Sequence, residues 1–87
     1  AADSPEIQQL EQALAEDPNN KALISQLASQ YTQVGRNEHA LDLLFKVVRS
    51  DLSDTDNKQQ LLDVLKALPE GDPLVSKYRK KLYTLMY

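Results

Sequence analysis

The sequence contains no cysteine, one histidine, two glycines and four prolines in 87 residues. Without cysteine, disulfides, thiolate metal sites and thiol redox chemistry are excluded within this chain. The few glycines and prolines leave no room for a low-complexity linker. No apolar stretch approaches the roughly 18 residues of a membrane-spanning helix, so no membrane partner is predicted. A small globular domain of ordinary composition is the class of protein to expect.

Catalytic chemistry is not predicted either. His39 is the only histidine, and one imidazole provides neither metal-ligand spacing nor a catalytic triad. The aspartates of residues 51–56 lack the glycine and terminal glutamate of a calcium loop, and we interpret them as helix caps. Gly35 and Gly71 are isolated, so no phosphate-binding loop is present. We expect no enzyme, no cofactor, and no catalytic, metal-binding or cofactor-binding residues.

Charge is distributed unevenly along the chain. Residues 1–73 contain 13 acidic and six basic residues, a net charge of −7, whereas residues 74–87 contain four basic residues and no acid. Such a split is typical of a charged interaction segment. Alternatively, these cations lie near a helix C-terminus, where they favour the negative end of the helix dipole. The acidic remainder opposes phosphate binding, so no nucleic-acid partner is predicted.

Hydrophobic periodicity predicts five helices and no strand. Glycine accepts the left-handed conformation at a helix C-terminus, so Gly35 is expected to end the second helix. Side chains that can accept a hydrogen bond from a first-turn N–H precede four of the helices, at Ser4, Asn19 or Asn20, Asn37 and residues 53–56. The helices are expected at about residues 5–16, 20–34, 38–50, 55–67 and 73–86.

The strongest pattern lies in residues 20–52. Large residues recur where two antiparallel helices would face each other, small ones stand where the helices would approach closest, and a glycine lies between (Leu27, Ala28, Tyr31, Gly35, Ala40, Leu44 and Val47). Asp17 precedes Asp51 by 34 positions. A period of about 34 residues with sizes in this order resembles the tetratricopeptide repeat (TPR).

This resemblance implies an all-α fold of TPR-like antiparallel helical hairpins, a right-handed solenoid fragment of about five helices. The last repeat is degenerate, because Leu62 and Pro69 stand where alanine and glycine are usual. The single domain then comprises residues 1–87, with a half repeat at 4–18, a complete repeat at 20–52 and a degenerate repeat at 54–87. Since the chain opens on half a repeat, we expect a piece excised from a longer protein.

The first helix lacks the partner helix that a complete repeat would supply. Ile7, Leu10 and Leu14 form its apolar strip, and contiguous exposed apolar surface tends to find a partner. We therefore expect either that this helix packs onto the second helix alone or that the fragment self-associates through it.

The last helix carries the predicted partner-binding residues. At 100° per residue, Tyr83 and Tyr87 fall outside its apolar stripe and are flanked by Arg79 and Lys80; the stripe itself comprises Leu74, Val75, Tyr78, Leu82, Leu85 and Met86. Aromatic residues and arginine are enriched at protein interfaces. The alternative is that tyrosines near a terminus are merely exposed.

Two strings, LASQYTQVGRNEHALDLLFKVVRSDL at 27–52 and GDPLVSKYRKKLYTLMY at 71–87, resemble the C-terminal TPR region of bacterial thioredoxin-like chaperedoxins. In that family a thioredoxin domain precedes several TPR units. The resemblance implies a non-catalytic, cytoplasmic interaction module of a chaperone or co-chaperone, which binds unfolding client proteins and contacts chaperonin through its C-terminal helix. Carried over, that contact falls on residues 74–87, with Tyr83 and Tyr87 as anchors.

Two alternatives stay open. The degenerate repeat could be a structural cap that closes a TPR solenoid, or the chain could be an adaptor or assembly protein of unrelated function. The outward positions of the second helix include Ser25 and Ser29, where TPR proteins that clamp acidic C-terminal peptides use lysine and asparagine. No carboxylate clamp is therefore predicted.

Overall fold

The computed structural model describes residues 5–86, with side chains through Leu85, and its helices match the five that were predicted. No strand occurs among these residues, so the all-α arrangement of helical hairpins is confirmed. Ser4, the side chain of Met86 and Tyr87 lie outside the described part. The helices are α1 (Pro5–Glu16), α2 (Lys21–Gln33), α3 (Asn37–Ser50), α4 (Thr55–Ala67) and α5 (Pro73–Met86).

Two of the predicted caps are confirmed and one is wrong. Asn20 accepts a hydrogen bond from the Leu23 N–H at the start of α2, and Asp54 accepts one at the start of α4. Helix α3, however, begins at Asn37 itself, and the residue before it makes no side-chain cap. Gly35, at φ 81°, turns the chain so tightly that the Arg36 N–H donates to a carbonyl of α2. Arg36 therefore occupies the N-cap position, and Asn37 is the first residue of the helix.

The core is a layer of apolar side chains from all five helices, and the predicted interior positions Leu27, Tyr31 and Leu44 are among them. Leu41, Leu44 and Leu61 are completely buried, and burial of apolar surface is the main contribution to the stability of such a layer. The full set is Ile7, Ile24, Leu27, Ala28, Tyr31, Ala40, Leu41, Leu44, Val47, Val48, Leu61, Val64, Leu65, Leu68, Tyr78 and Leu82.

Helix α1 packs onto α2. Ile7 is completely buried, and Leu10 and Leu14 are half-buried against the core. The Tyr31 hydroxyl reaches back to α1 and donates to Glu11 Oε2 at 2.6 Å. The first of the two alternatives for this helix is thus what the structure shows. Self-association through its remaining apolar surface stays a prediction.

Helix α5 is held chiefly by α3. The backbones of α2 and α3 approach each other closely along the first hairpin, whereas those of α4 and α5 do so at most at isolated positions. Tyr78 is completely buried instead against α3, edge-on to the Phe45 ring at 6.2 Å between centroids. We call the line along which α3 and α5 pack together the α3–α5 seam.

Candidate protein-interaction surfaces

The inner face of α5 is anchored by Tyr78. Its hydroxyl donates a hydrogen bond to Asp42 Oδ1 on α3. Burial, and after it this hydrogen bond to a carboxylate, raise the pKa of Tyr78 well above its ordinary value. The hydroxyl therefore stays protonated and keeps donating. Because Leu82 is buried on the same face, α5 is fastened along one side and leaves its other side to solvent.

The outer face of α5 carries the predicted partner-binding residues. Tyr83 is 64% exposed, and Arg79 and Lys80 are exposed one turn before it. Residues three and four apart are neighbours on a helix surface, so the structure brings these three side chains onto one surface. The fourth predicted residue, Tyr87, lies outside the described residues.

The two cations border different depressions. Arg79 lines the one formed by the α4–α5 turn, together with Pro69 and Val75. Lys80 lines the far end of the α3–α5 seam, beside Arg49 and Phe45. Tyr83 lines neither depression and lies between Arg79 on one side and Lys80 on the other. We call this exposed strip of α5 the Tyr83 ridge.

The charges along the α3–α5 seam differ between its two ends. At the start of both helices, Lys77 Nζ lies 4.0 Å from Glu38 Oε2. Farther along, Lys81 Nζ lies 4.9 Å from the centroid of the Tyr78 ring and 5.5 Å from that of Phe45. The far end is lined by Phe45, Arg49, Lys80, Lys81, Thr84 and Leu85. One end therefore pairs opposite charges, and the other gathers cations around an apolar floor.

Polar side chains of α2 and α4 hydrogen-bond to each other across the surface that the two helices share. Ser25 Oγ donates to Gln60 Oε1 at 2.6 Å. In return, the Gln60 amide donates to the Ser25 carbonyl at 3.0 Å and to Ser29 Oγ at 3.2 Å. The two serines predicted to face outward hold α4 to α2, which the repeat pattern did not indicate.

The two aspartates in the loop between α3 and α4 stabilise the fold through an ion pair and a helix cap. Lys21 Nζ lies 2.5 Å from Asp51 and 3.5 Å from Asp54. Hydrogen bonds from Lys21 and then Ser53 lower the pKa of Asp51 to about 2. The same contact with Asp51 raises the pKa of Lys21, and hydrogen bonds from Asn57 lower that of Asp54. Asp54 is the cap that was predicted, whereas Asp51 is the partner of an ion pair.

Neither a metal site nor a membrane span emerges from residues 5–86. No group of three or more histidine, aspartate or glutamate residues there comes close enough to hold a metal ion. His39 Nε2 lies 3.0 Å from a guanidinium nitrogen of Arg36, and its ring lies 5.4 Å from that of Tyr31. No helix within the same range is both long and apolar enough to cross a membrane.

Comparison with known proteins agrees with the helical-hairpin geometry. A family model described as tetratricopeptide repeat matches residues 1–87. The chain belongs to the tetratricopeptide repeat family. TPR arrays generally present surfaces that bind other proteins.

Two bacterial relatives resemble this TPR chain. An uncharacterized protein from Haemophilus influenzae is 47% identical over 89 residues, which cover 100% of this chain and 41% of that protein. A crystal structure of a domain of a Vibrio parahaemolyticus protein of unknown function has a TM-score of 0.89 and 45% identity, over 97% of this chain and 50% of that one. The TPR chain therefore spans half or less of the relatives it matches.

Proposed function

We propose that this chain is the non-catalytic interaction module of a cytoplasmic chaperone or co-chaperone of the thioredoxin-like chaperedoxin type, which binds client proteins or chaperonin. The observation that carries the proposal is Tyr83, which is 64% exposed although the opposite face of its helix is buried. Tyrosine is enriched at protein interfaces, because its ring offers a large apolar area while its hydroxyl can stay hydrogen-bonded. The resemblance of residues 27–52 and 71–87 to chaperedoxins supplies the identity of the partners.

The outer face of α5 has the composition of a binding hot spot. Tyr83 and Tyr87 are the proposed anchors, because tyrosine offers a large contact area at a modest entropy cost. Arg79 and Lys80 are the proposed rim, because exposed charges at the edge of an interface steer the encounter more than they hold the complex. Folding already employs the other face of the helix through Tyr78.

The anchors are tested in the full-length parent by titration against chaperonin. Replacing Tyr83 and Tyr87 together by alanine is expected to weaken binding by more than about 2 kcal/mol. The melting temperature should remain nearly unchanged, because Tyr83 is largely exposed. Leu52→Ala is the matched control, since Leu52 is 55% exposed in the loop between α3 and α4. Its binding should equal that of the wild type.

The rim is tested by kinetics. Arg79→Gln together with Lys80→Gln should slow association and reduce its dependence on salt, with a smaller effect on dissociation. If the double tyrosine variant binds chaperonin and clients as the wild type does, the outer face of α5 has no such role. The degenerate hairpin is then better described as a structural cap of the solenoid.

A further inference from the structure

The far end of the α3–α5 seam concentrates positive charge from two helices. Arg49 contributes from α3, and Lys80 and Lys81 contribute from α5, around one depression. Among residues 5–86, no carboxylate forms an ion pair with any of these three side chains. All three side chains are exposed, so the depression presents positive charge to a partner in solution.

The helix dipole compensates for only one of the three. Arg49 lies in the last turn of α3, where a cation favours the negative end of the dipole. Helix α5 has no basic residue in its last turn, so Lys80 and Lys81 lack this stabilisation. The alternative that its cations merely complement a helix end is therefore wrong for α5. Lys81 faces the Tyr78 and Phe45 rings, and this contact does not neutralise its charge. The depression therefore carries the positive charge of all three side chains.

The floor of the depression is apolar. Phe45 and Leu85 are both half-buried, and each keeps part of its surface exposed between the cations. An apolar floor with a cationic border fits an amphipathic segment that presents apolar and acidic side chains together. A nucleic acid fits less well, because residues 1–73 carry a net charge of −7 and would repel its phosphates.

We infer that the far end of the α3–α5 seam is a docking groove for an acidic amphipathic peptide segment of a partner protein. Apolar side chains of the segment cover Phe45 and Leu85, and its carboxylates pair with Arg49, Lys80 and Lys81. This groove is separate from the Tyr83 ridge, and the inference does not depend on chaperonin binding. The carboxylates of the segment offset the positive charge that the depression presents.

The experiment uses a synthetic helical peptide of about 12 residues, with leucine on one face and glutamate on the other, titrated into the full chain. Arg49→Glu with Lys81→Glu should weaken binding by roughly tenfold or more. The matched control is Lys58→Glu with Lys66→Glu on α4, which changes the net charge equally outside the groove, and its affinity should fall by less than about threefold. Circular dichroism verifies that both variants are folded.

Lys81→Glu removes the contact of Lys81 with two aromatic rings and could prevent folding, so a second variant changes Arg49 only. Arg49→Glu alone should then weaken binding by roughly fivefold, and the wild type should lose affinity as salt is raised. A peptide with glutamine in place of every glutamate should bind far more weakly. Tyr83→Ala should bind the acidic peptide as the wild type does, which separates this groove from the chaperonin contact.

Four outcomes would overturn the inference. Equal losses in the groove and control variants would mean that any positive charge suffices. Equal affinity for the glutamine peptide would mean that the groove does not recognise the negative charge of the peptide. Displacement of the peptide by a single-stranded oligonucleotide at lower concentration would favour nucleic acid as the ligand. Sedimentation that shows a wild-type dimer dispersed by Arg49→Glu would assign the groove to a second copy of the chain.

Discussion

The two hairpins α2–α3 and α4–α5 share a repeat spacing but differ at the positions where their helices would touch. Ala28 and Ala40 are completely buried in the first, and the backbones there approach closely. The same repeat positions, 34 residues on, are occupied by the half-buried Leu62 and Leu74. The backbones of α4 and α5 approach closely at most at isolated positions, which is consistent with the greater volume of leucine at both places.

The second hairpin compensates through a different helix. Tyr78 occupies the repeat position of Leu44, and both are completely buried. Leu44 is packed only by apolar contact, whereas Tyr78 adds a hydrogen bond to Asp42 of the neighbouring repeat. A degenerate repeat can therefore keep its last helix by attaching it to the preceding repeat. That attachment is what creates the α3–α5 seam.

The largest effect is expected at the position that Leu44 and Tyr78 share. Leu44→Ala should lower the free energy of unfolding by roughly 2–5 kcal/mol, because it leaves a cavity in the core. Tyr78→Phe should cost only about 0.5–1.5 kcal/mol, since it removes one hydrogen bond and leaves Asp42 open to water. Urea unfolding measures both. A loss for Tyr78→Phe as large as that for Leu44→Ala would mean that the hydrogen bond to Asp42 stabilises the fold as much as the apolar packing of Leu44 does.

Exchanging residue sizes tests the closest-approach positions directly. Ala40→Leu should destabilise by about 1–3 kcal/mol, because it overpacks the first hairpin. The reverse change at the equivalent position, Leu74→Ala, should cost less than about 1.5 kcal/mol, because Leu74 is only half-buried. A neutral Ala40→Leu variant in urea unfolding would remove Ala40 from the role of the tight-packing residue.

The turns of the two hairpins should respond alike. Gly35 and Gly71 both have positive φ, 81° and 85°, and an added Cβ would meet no atom within 4 Å at either. The cost of alanine is therefore conformational alone, about 1 kcal/mol at each glycine. Asparagine tolerates this conformation better and should cost less. Thermal melts of the four variants compare the turns, and a much larger loss at one glycine would contradict their equivalence.

The smallest effect concerns the ion pair that joins α2 to the loop before α4. The pKa of Asp51 is lowered to about 2 from 3.8. A carboxyl group with a lowered folded-state pKa adds stability above its unfolded pKa, and this contribution disappears as the pH falls through the folded value. Urea unfolding should therefore show stability declining from about pH 4 to pH 2, less steeply for Asp51→Asn than for the wild type.

The matched test breaks the same ion pair from its other side. Lys21→Gln, which removes the cation that contacts Asp51, should flatten the slope over the same pH range as Asp51→Asn does. Identical slopes for the wild type and Asp51→Asn would show that the ion pair with Lys21 contributes nothing to stability.

Local signals predicted much of the fold and part of the site. The period of the apolar residues located all five helices, and the caps Asn20 and Asp54 were among the candidates predicted. The exposure of Tyr83 followed from its angle on α5 alone. These predictions succeeded because each depends on residues within one or two helical turns.

Long-range partners could not be predicted in this way. Asn57 and Val64 are buried, although the apolar pattern of α4 singled out neither of them. The hydrogen bonds of Gln60 with Ser25 join residues 35 positions apart. Periodicity reports which face of a helix is apolar, but not the rotation and distance at which a second helix meets it.

The sequence by itself determined the helices, two of their caps, the glycine turns and the sizes of the residues at the closest-approach positions, because these depend on local backbone geometry and side-chain volume. The tertiary structure alone decided that α5 leans on α3 and that Arg49 joins Lys80 and Lys81 around Phe45. Those residues come from two helices separated by a third. Only the balance of close contacts across the whole core fixes where such helices meet.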